Sequence, residues 1–253
     1  MNRILIWLLL ASAAMPARAQ ELTLHQRLII SCFNVQVDEV VKCLREGADV
    51  NARLGQCTTK PFYDRWTGGT PLGTQCWTPL IALASAHDYP APPTELGQIW
   101  KERARARALL NGIPQDQIDK RRSDTMTILL LLLGHACKLD WDDGYGATAL
   151  YKAVDNGKVA MARKLLEFGA NPNTKTQVYI DGAGDTTPLH VAFQSKELVQ
   201  LLLDHGADAA AKDSEGRTPA DWIALDDSRD FDLVSTPDGP RVRPRDKTST
   251  KAQ

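Results

Sequence analysis

The sequence predicts an all-α chain of repeated two-helix units, and three observations carry that prediction. A threonine-led start recurs as Thr78-Pro79-Leu80-Ile81, Thr148-Ala149-Leu150-Tyr151 and Thr187-Pro188-Leu189-His190. The last two are each followed by a leucine pair and a glycine step, Leu165-Leu166-Glu167-Phe168-Gly169-Ala170 and Leu202-Leu203-Asp204-His205-Gly206-Ala207. Between such marks apolar residues fall at helical spacing, as Val40, Cys43 and Leu44 do. Thr caps a helix by accepting a backbone N–H, and Pro suits the first helical position because its missing N–H costs nothing there. The glycine step, first seen as Gly47-Ala48-Asp49-Val50-Asn51, ends a helix in a left-handed conformation that glycine adopts cheaply.

These motifs resemble the ankyrin repeat, a turn and two helices of about 33 residues. The resemblance implies a solenoid of four to five repeats with projecting finger loops. Such units share a core and present a concave surface that binds another protein.

Each element follows from that frame. Repeat one starts without its turn, with an inner helix over 22–33 and an outer helix from Asp38. An enlarged finger over about 52–77 comes next, holding Arg65 and Trp66. A second insertion over 87–124 begins with the helix-averse Tyr89-Pro90-Ala91-Pro92-Pro93 and continues as a helix over 94–110. Met126–Leu133 is apolar, too short to span a bilayer, and fits a helix buried between neighbouring repeats. Ala136-Cys137-Lys138 stands where glycine is expected. Repeat three runs over 143–175, and the finger after it is lengthened around Tyr179. Repeat four lacks two residues at Ser195-Lys196, which predicts a tight turn between its helices. A last repeat opens at Asp213 and serves as the C-terminal cap. The repeat domain is thus 20–225, and the polar, proline-bearing stretch 226–253 is expected to be disordered.

The first 19 residues read as a secretory signal. Arg3 precedes an apolar run from Ile4 to Ala14, and Ala17-Arg18-Ala19 gives the small-x-small cut after Ala19. A run of eleven residues falls short of the roughly 20 a membrane span needs. The expected location is therefore periplasmic or secreted, and the style of this leader points to a bacterial periplasmic protein. No membrane span is expected after cleavage.

Oxidising compartments permit disulfides. Cys57 and Cys76 flank a polar loop, so a bridge between them is expected. Cys32 and Cys43 sit on the two helices of the first repeat, and both a bridge and simple packing stay open. Cys137 reads as a buried lone thiol. The formal net charge is −1, which gives no reason to expect nucleic acid as partner. Basic residues gather at the C-terminal end, with Arg241, Arg243, Arg245, Lys247 and Lys251 against Asp246. They read either as solvated surface or as a patch for an acidic partner or anionic surface.

Catalytic and metal signatures are missing from the sequence. There is no C-x-x-C, no paired H-x-x-x-H and no G-x-S-x-G. Asp140-Trp141-Asp142-Asp143-Gly144 has calcium-loop composition but the wrong spacing, and reads as a finger turn. No cofactor, no metal and no enzyme activity are expected. The expected role is a non-catalytic binding module in the cell envelope, monomeric on its own. It serves as an immunity-type or inhibitor protein for an exported toxin or enzyme. A periplasmic adaptor or assembly factor and a secreted host-directed effector are the alternatives. By resemblance, partner contacts fall on Tyr145, Ala147, Asp155 and Asn156 of repeat three, Asp185, Thr186, Gln194 and Ser195 of repeat four, and Glu215 and Arg217 of the cap. Arg65, Trp66 and Tyr179 on the long fingers join them, and His190 ties adjacent repeats.

Overall fold

Helix starts follow the threonine rule. The computed structural model describes residues 22–54, 76–86, 115–177, 184–225, 230–237 and 239–245, and these divide into two units, one up to Lys138 and one from Leu139.

The first unit holds α1 (Leu24–Asn34), α2 (Val37–Arg45), α3 (Pro79–Ser85) and α4 (Gln115–Gly134). α1 opens with a capping box. The Thr23 hydroxyl accepts the Gln26 N–H, and the Gln26 side chain accepts the Thr23 N–H. Thr78 caps α3 by accepting the Ile81 N–H at 3.2 Å. α1 packs on α2 and α3, and α4 packs on α2 and α3. The core between them is Leu28, Cys32, Val40, Cys43, Leu80, Leu83, Ile128, Leu129 and Leu132, each at most 1 % exposed. Burying one such leucine contributes about 1.5–3 kcal/mol. The turn around Asn51 is tied to this unit's last turn, because its Oδ1 accepts the Lys138 N–H at 2.7 Å.

The second unit holds α5 (Ala149–Asp155), α6 (Val159–Glu167), α7 (Pro188–Val191), a 3-10 turn over Ala192–Gln194, α8 (Lys196–Asp204) and α9 (Pro219–Ala224). α5, α7 and α9 form an inner row, and α6 and α8 an outer one. Leu150, Leu165, Leu189, Leu198 and Leu202 are buried between the rows, Leu166 is 5 % exposed, and Leu203 is half-buried. The shortened repeat four turns as tightly as expected. Ser195 closes the 3-10 turn and caps α8 in one residue, accepting the Leu198 N–H at 3.3 Å.

Several expectations need correction. The stretch 226–253 is not wholly disordered, and the chain is not wholly helical. Strands β1 (Phe231–Thr236) and β2 (Gly239–Pro244) pair as an antiparallel hairpin, with Leu233 opposite Val242. The hairpin forms because alternate residues are apolar. Phe231 and Leu233 are buried, β1 lies on α9, and β2 lies on α8. Among the described residues it stands against α8 and α9 where an outer helix would pack. The outer helix of repeat two also starts earlier than expected. Its first turn at Gln115 lies inside the stretch 87–124 read as insertion, because Ile118 and Thr125 continue its buried stripe. Cys32 and Cys43 are free buried thiols, which removes the bridge alternative between them. Their burial raises both thiol pKa values, Cys32 the more strongly. Cys137 is a free thiol but half-buried rather than buried as expected, and its partial burial pushes it up to about 11. Cys76 is buried and disulfide-bonded, while Cys57 lies outside the described residues, as do the signal segment, Arg65, Trp66, Tyr179 and the helix expected over 94–110.

Three described non-glycine residues hold a left-handed backbone, Val35 and Asp185 at φ +57° and Ala136 at φ +55°, and the turn at Ala136 stands where glycine is the rule. Gly47, Gly169 and Gly206 end their helices with φ of +87°, +92° and +82°. The equivalent residue after α4 is Ala136, and it holds φ +55°. A Cβ in that region costs about 1 kcal/mol.

Candidate protein-binding surface

The finger turns of the second unit are locked from beneath by aspartates. Asp143 and Asp213 each stand five residues before a helix-capping threonine, Thr148 and Thr218. The Asp143 Oδ1 accepts the N–H groups of Tyr145 (3.1 Å) and Ala147 (3.2 Å). The Asp213 Oδ1 accepts those of Glu215 and Arg217, both at 2.9 Å. Each Asp N–H returns to the carbonyl four residues on, Ala147 and Arg217. The two turns are thus one design used twice.

The second carboxylate oxygen of each is held by the residue four beyond its threonine. Lys152 Nζ lies 3.2 Å from Asp143 Oδ2. Trp222 Nε1 donates to Asp213 Oδ2 at 2.8 Å, and Arg217 Nε does so at 3.0 Å. Burial alone would raise the Asp213 carboxyl. The bonds from Trp222, Arg217 and Glu215 outweigh it and hold the group at about 2. The Arg217 guanidinium also lies 5.1 Å from the Trp222 ring centre and 3.1 Å from Glu215.

Neighbouring fingers are stitched together. The Tyr145 carbonyl accepts the Gln177 N–H and the Thr176 hydroxyl. Gly184 and Ser214 exchange two bonds, the Gly184 N–H to Ser214 Oγ at 2.8 Å and the Ser214 N–H to the Gly184 carbonyl at 2.9 Å. Asn173 spans to the next step, accepting the Asp208 N–H and donating to the Gly206 carbonyl. His190 accepts the Thr187 N–H on Nδ1, so its Nε2–H donates to the Arg217 carbonyl at 3.2 Å. Burial lowers its pKa and so favours the neutral ring, and the two bonds set its tautomer. It is a tie between repeats, as its motif implied.

This stitching sorts the expected contact residues. Tyr145 is 4 % exposed, and Ala147 and Thr186 are fully buried, so none of the three can meet a partner. The strand-like stretch at Thr176 covers Tyr145 from the next finger, a contact that local spacing does not reveal. Ser195 is spent as a helix cap. Asp155 and Gln194 are half-buried at the ends of the inner helices, and Asn156, Asp185 and Glu215 are exposed. Arg217 is half-buried, and its side chain braces the finger. Ser214, Lys175 and Gln177 were not among the expected residues, yet they lie exposed along the same finger row. The Asp-x4-Thr spacing was the available signal for the locks.

Among the described residues no cluster of His, Cys, Asp or Glu could hold a metal ion, and no helix is long and apolar enough to cross a membrane.

The ankyrin-repeat family model matches residues 145–177 and 185–214, the stretches whose geometry is given above. The chain is similar to the mouse Ankyrin repeat and SOCS box protein 9, 40% identical over 97 residues, which cover 38% of this chain and 31% of that protein. It is similar to the human ARF GTPase-activating protein GIT1, 32% identical over 117 residues, 43% of this chain and 15% of the relative. It is also similar to the BTB/POZ domain and ankyrin repeat-containing protein BOP of Lupinus luteus, 36% identical over 103 residues, 40% and 19%. The matched stretch spans less than a third of each of these relatives. The chain therefore carries ankyrin repeats, a protein–protein interaction module.

Proposed function

We propose that this chain is a non-catalytic binding module of the cell envelope that grips a protein partner with its finger tips and inner-helix ends. One observation carries the reading. The finger turns at Asp143 and Asp213 are braced by these buried aspartates, while Ser214 and Glu215 on the Asp213 turn stay exposed. Bracing spends conformational entropy before binding, so less is lost when a partner docks. The residues assigned to the contact are Asp155, Asn156, Asp185, Gln194, Ser214, Glu215 and the outer edge of Arg217, together with Arg65, Trp66 and Tyr179 on the long fingers.

Within this reading the chain leaves the cytoplasm by its leader, is cut after Ala19, and neutralises an exported toxin or enzyme. The apolar run after Arg3 and the Ala17-Arg18-Ala19 cut support export. N-terminal sequencing of the protein from a periplasmic extract tests it, and a product starting at Met1 would overturn it. Affinity purification from the native envelope followed by mass spectrometry names the partner. Growth rescue when the chain is co-expressed with that partner supports the immunity role. Binding without rescue leaves the adaptor role instead.

A further inference from the structure

One acid of the finger row is held in a conformation from which the fold itself gains nothing. Gly146 and Gly216 stand two residues before the capping threonines Thr148 and Thr218, with φ of +83° and +77°. The same place before Thr187 is taken by Asp185, at φ +57°. A Cβ in that region crowds the backbone, and aspartate settles there when its carboxylate bonds the N–H two residues on. Here that bond is not made. The Thr187 N–H goes to His190 Nδ1 at 3.1 Å, within the capping box that opens α7.

The other acids of these turns are all engaged. Asp142 accepts the Gly144 N–H at 2.7 Å, and Asp143 and Asp213 are locked as described above. Glu215 is paired with Arg217. Among the described residues nothing holds the Asp185 carboxylate, which is exposed. The other left-handed non-glycine residues offer no parallel, since Val35 is buried and Ala136 carries no polar group. The backbone on either side of Asp185 is fixed. Gly184 exchanges its two bonds with Ser214, and the Thr186 hydroxyl is tied to Tyr151 inside the core.

We infer that Asp185 is a specificity-determining contact of the finger row, and that the partner protein presents a lysine or arginine side chain to its carboxylate. This rests on the reading of the chain as a protein-binding module and names the chemistry of one contact within it. A carboxylate only accepts hydrogen bonds, and its strongest complement is a cationic donor. A partner that covered it without such a donor would leave a desolvated, unpaired charge. A metal ion is no substitute, because it needs several ligands at once and the described residues assemble no such group. Backbone strain at the turn is thus set against a charge left open on a rigid support, where little order remains to be lost on docking.

The test uses the full chain with D185G, D185N and D185K. Its probe is the envelope protein that wild type captures in the purification described above, purified and titrated by calorimetry. D185G should melt no lower than wild type, since the turn regains its glycine, yet bind the probe about three- to tenfold more weakly. D185N keeps the backbone strain and removes the charge, and should weaken binding to the same degree. D185K should cost at least about tenfold, and changing the probe's matching lysine or arginine to glutamate should restore much of it. Salt should weaken wild-type binding more steeply than that of D185G. Binding by D185G and D185N equal to wild type overturns the inference while the binding module stands. A D185G chain that melts lower also overturns it, because the carboxylate then serves the fold. If wild type captures no envelope protein, the binding reading itself falls, and this contact with it.

Discussion

The hydroxyl of Tyr151 meets the hydroxyl of Thr186 at 2.9 Å inside the core. Tyr151 occupies in repeat three the place that His190 holds in repeat four, and both reach the residue just before the next helix-capping threonine. A phenol thus does the work of an imidazole, and burial keeps its proton on by raising its pKa against the opposing bond from Thr186. Tyr151→Phe removes one partner and leaves the Thr186 hydroxyl buried without it. The expected loss is about 1–3 kcal/mol, read as a lower denaturant midpoint at unchanged slope. No change in midpoint would show that the pair contributes nothing.

The Asp213 lock predicts an acid limb. Its carboxyl sits near 2 when folded, below the ordinary 3.8. A depressed folded value means that the stability it brings is complete above the unfolded pKa and fades as pH falls from about 4 towards 2. The size is on the order of 2 kcal/mol. Asp213→Asn should lower stability at neutral pH and flatten this part of the pH profile. Equal slopes for both proteins below pH 4 would contradict the assignment.

Two opposite substitutions test the turns. A Cβ on Gly146 would stand 2.4 Å from the Lys175 carbonyl oxygen, and its φ is +83°. Gly146→Ala must move the adjoining finger and should cost more than about 2 kcal/mol. Ala136 sits exposed at φ +55°, so Ala136→Gly should stabilise by about 0.5–1 kcal/mol. Thermal melts of both variants decide. A destabilised Ala136→Gly would refute the strain argument.

Thiol accessibility separates the cysteines. A disulfide between Cys57 and Cys76 should survive in a tryptic digest made without reductant, two mass units lighter than the separate peptides. It should stabilise by about 3 kcal/mol for a loop of this size. Cys137, half-buried, should react with an alkylating reagent in the native state before the fully buried Cys32 and Cys43, which wait for unfolding. Native labelling of Cys32 at the rate of Cys137 would show that the packing of α1 on α2 opens.

The repeats were legible because their signals are local. Thr78, Thr148 and Thr218 cap the helices they announce, and the glycine steps end them. The contact surface was less legible, since Tyr145, Ala147 and Thr186 are buried, Tyr145 beside Thr176 of the next finger and Thr186 beside Tyr151 of α5, partners more than 30 residues away along the chain. The hairpin escaped for a different reason. Its strands are six residues long, β2 carries two prolines and two arginines, and only Phe231 and Leu233 of β1 are buried. Composition over so short a span reads as unstructured, and the deciding fact is the apolar flank that α8 and α9 leave open.

Closing that flank with two strands has a topological outcome. A helix pair accepts another helix pair against it, so an uncapped array invites extension by further copies of itself. A ribbon whose rim is broken by Pro240 and Pro244 offers no matching ledge. The ribbon therefore covers the apolar flank of α8 and α9 with a shape that does not match a helix pair, and a chain cut after Leu225 should self-associate more than the full chain at equal concentration, read by light scattering.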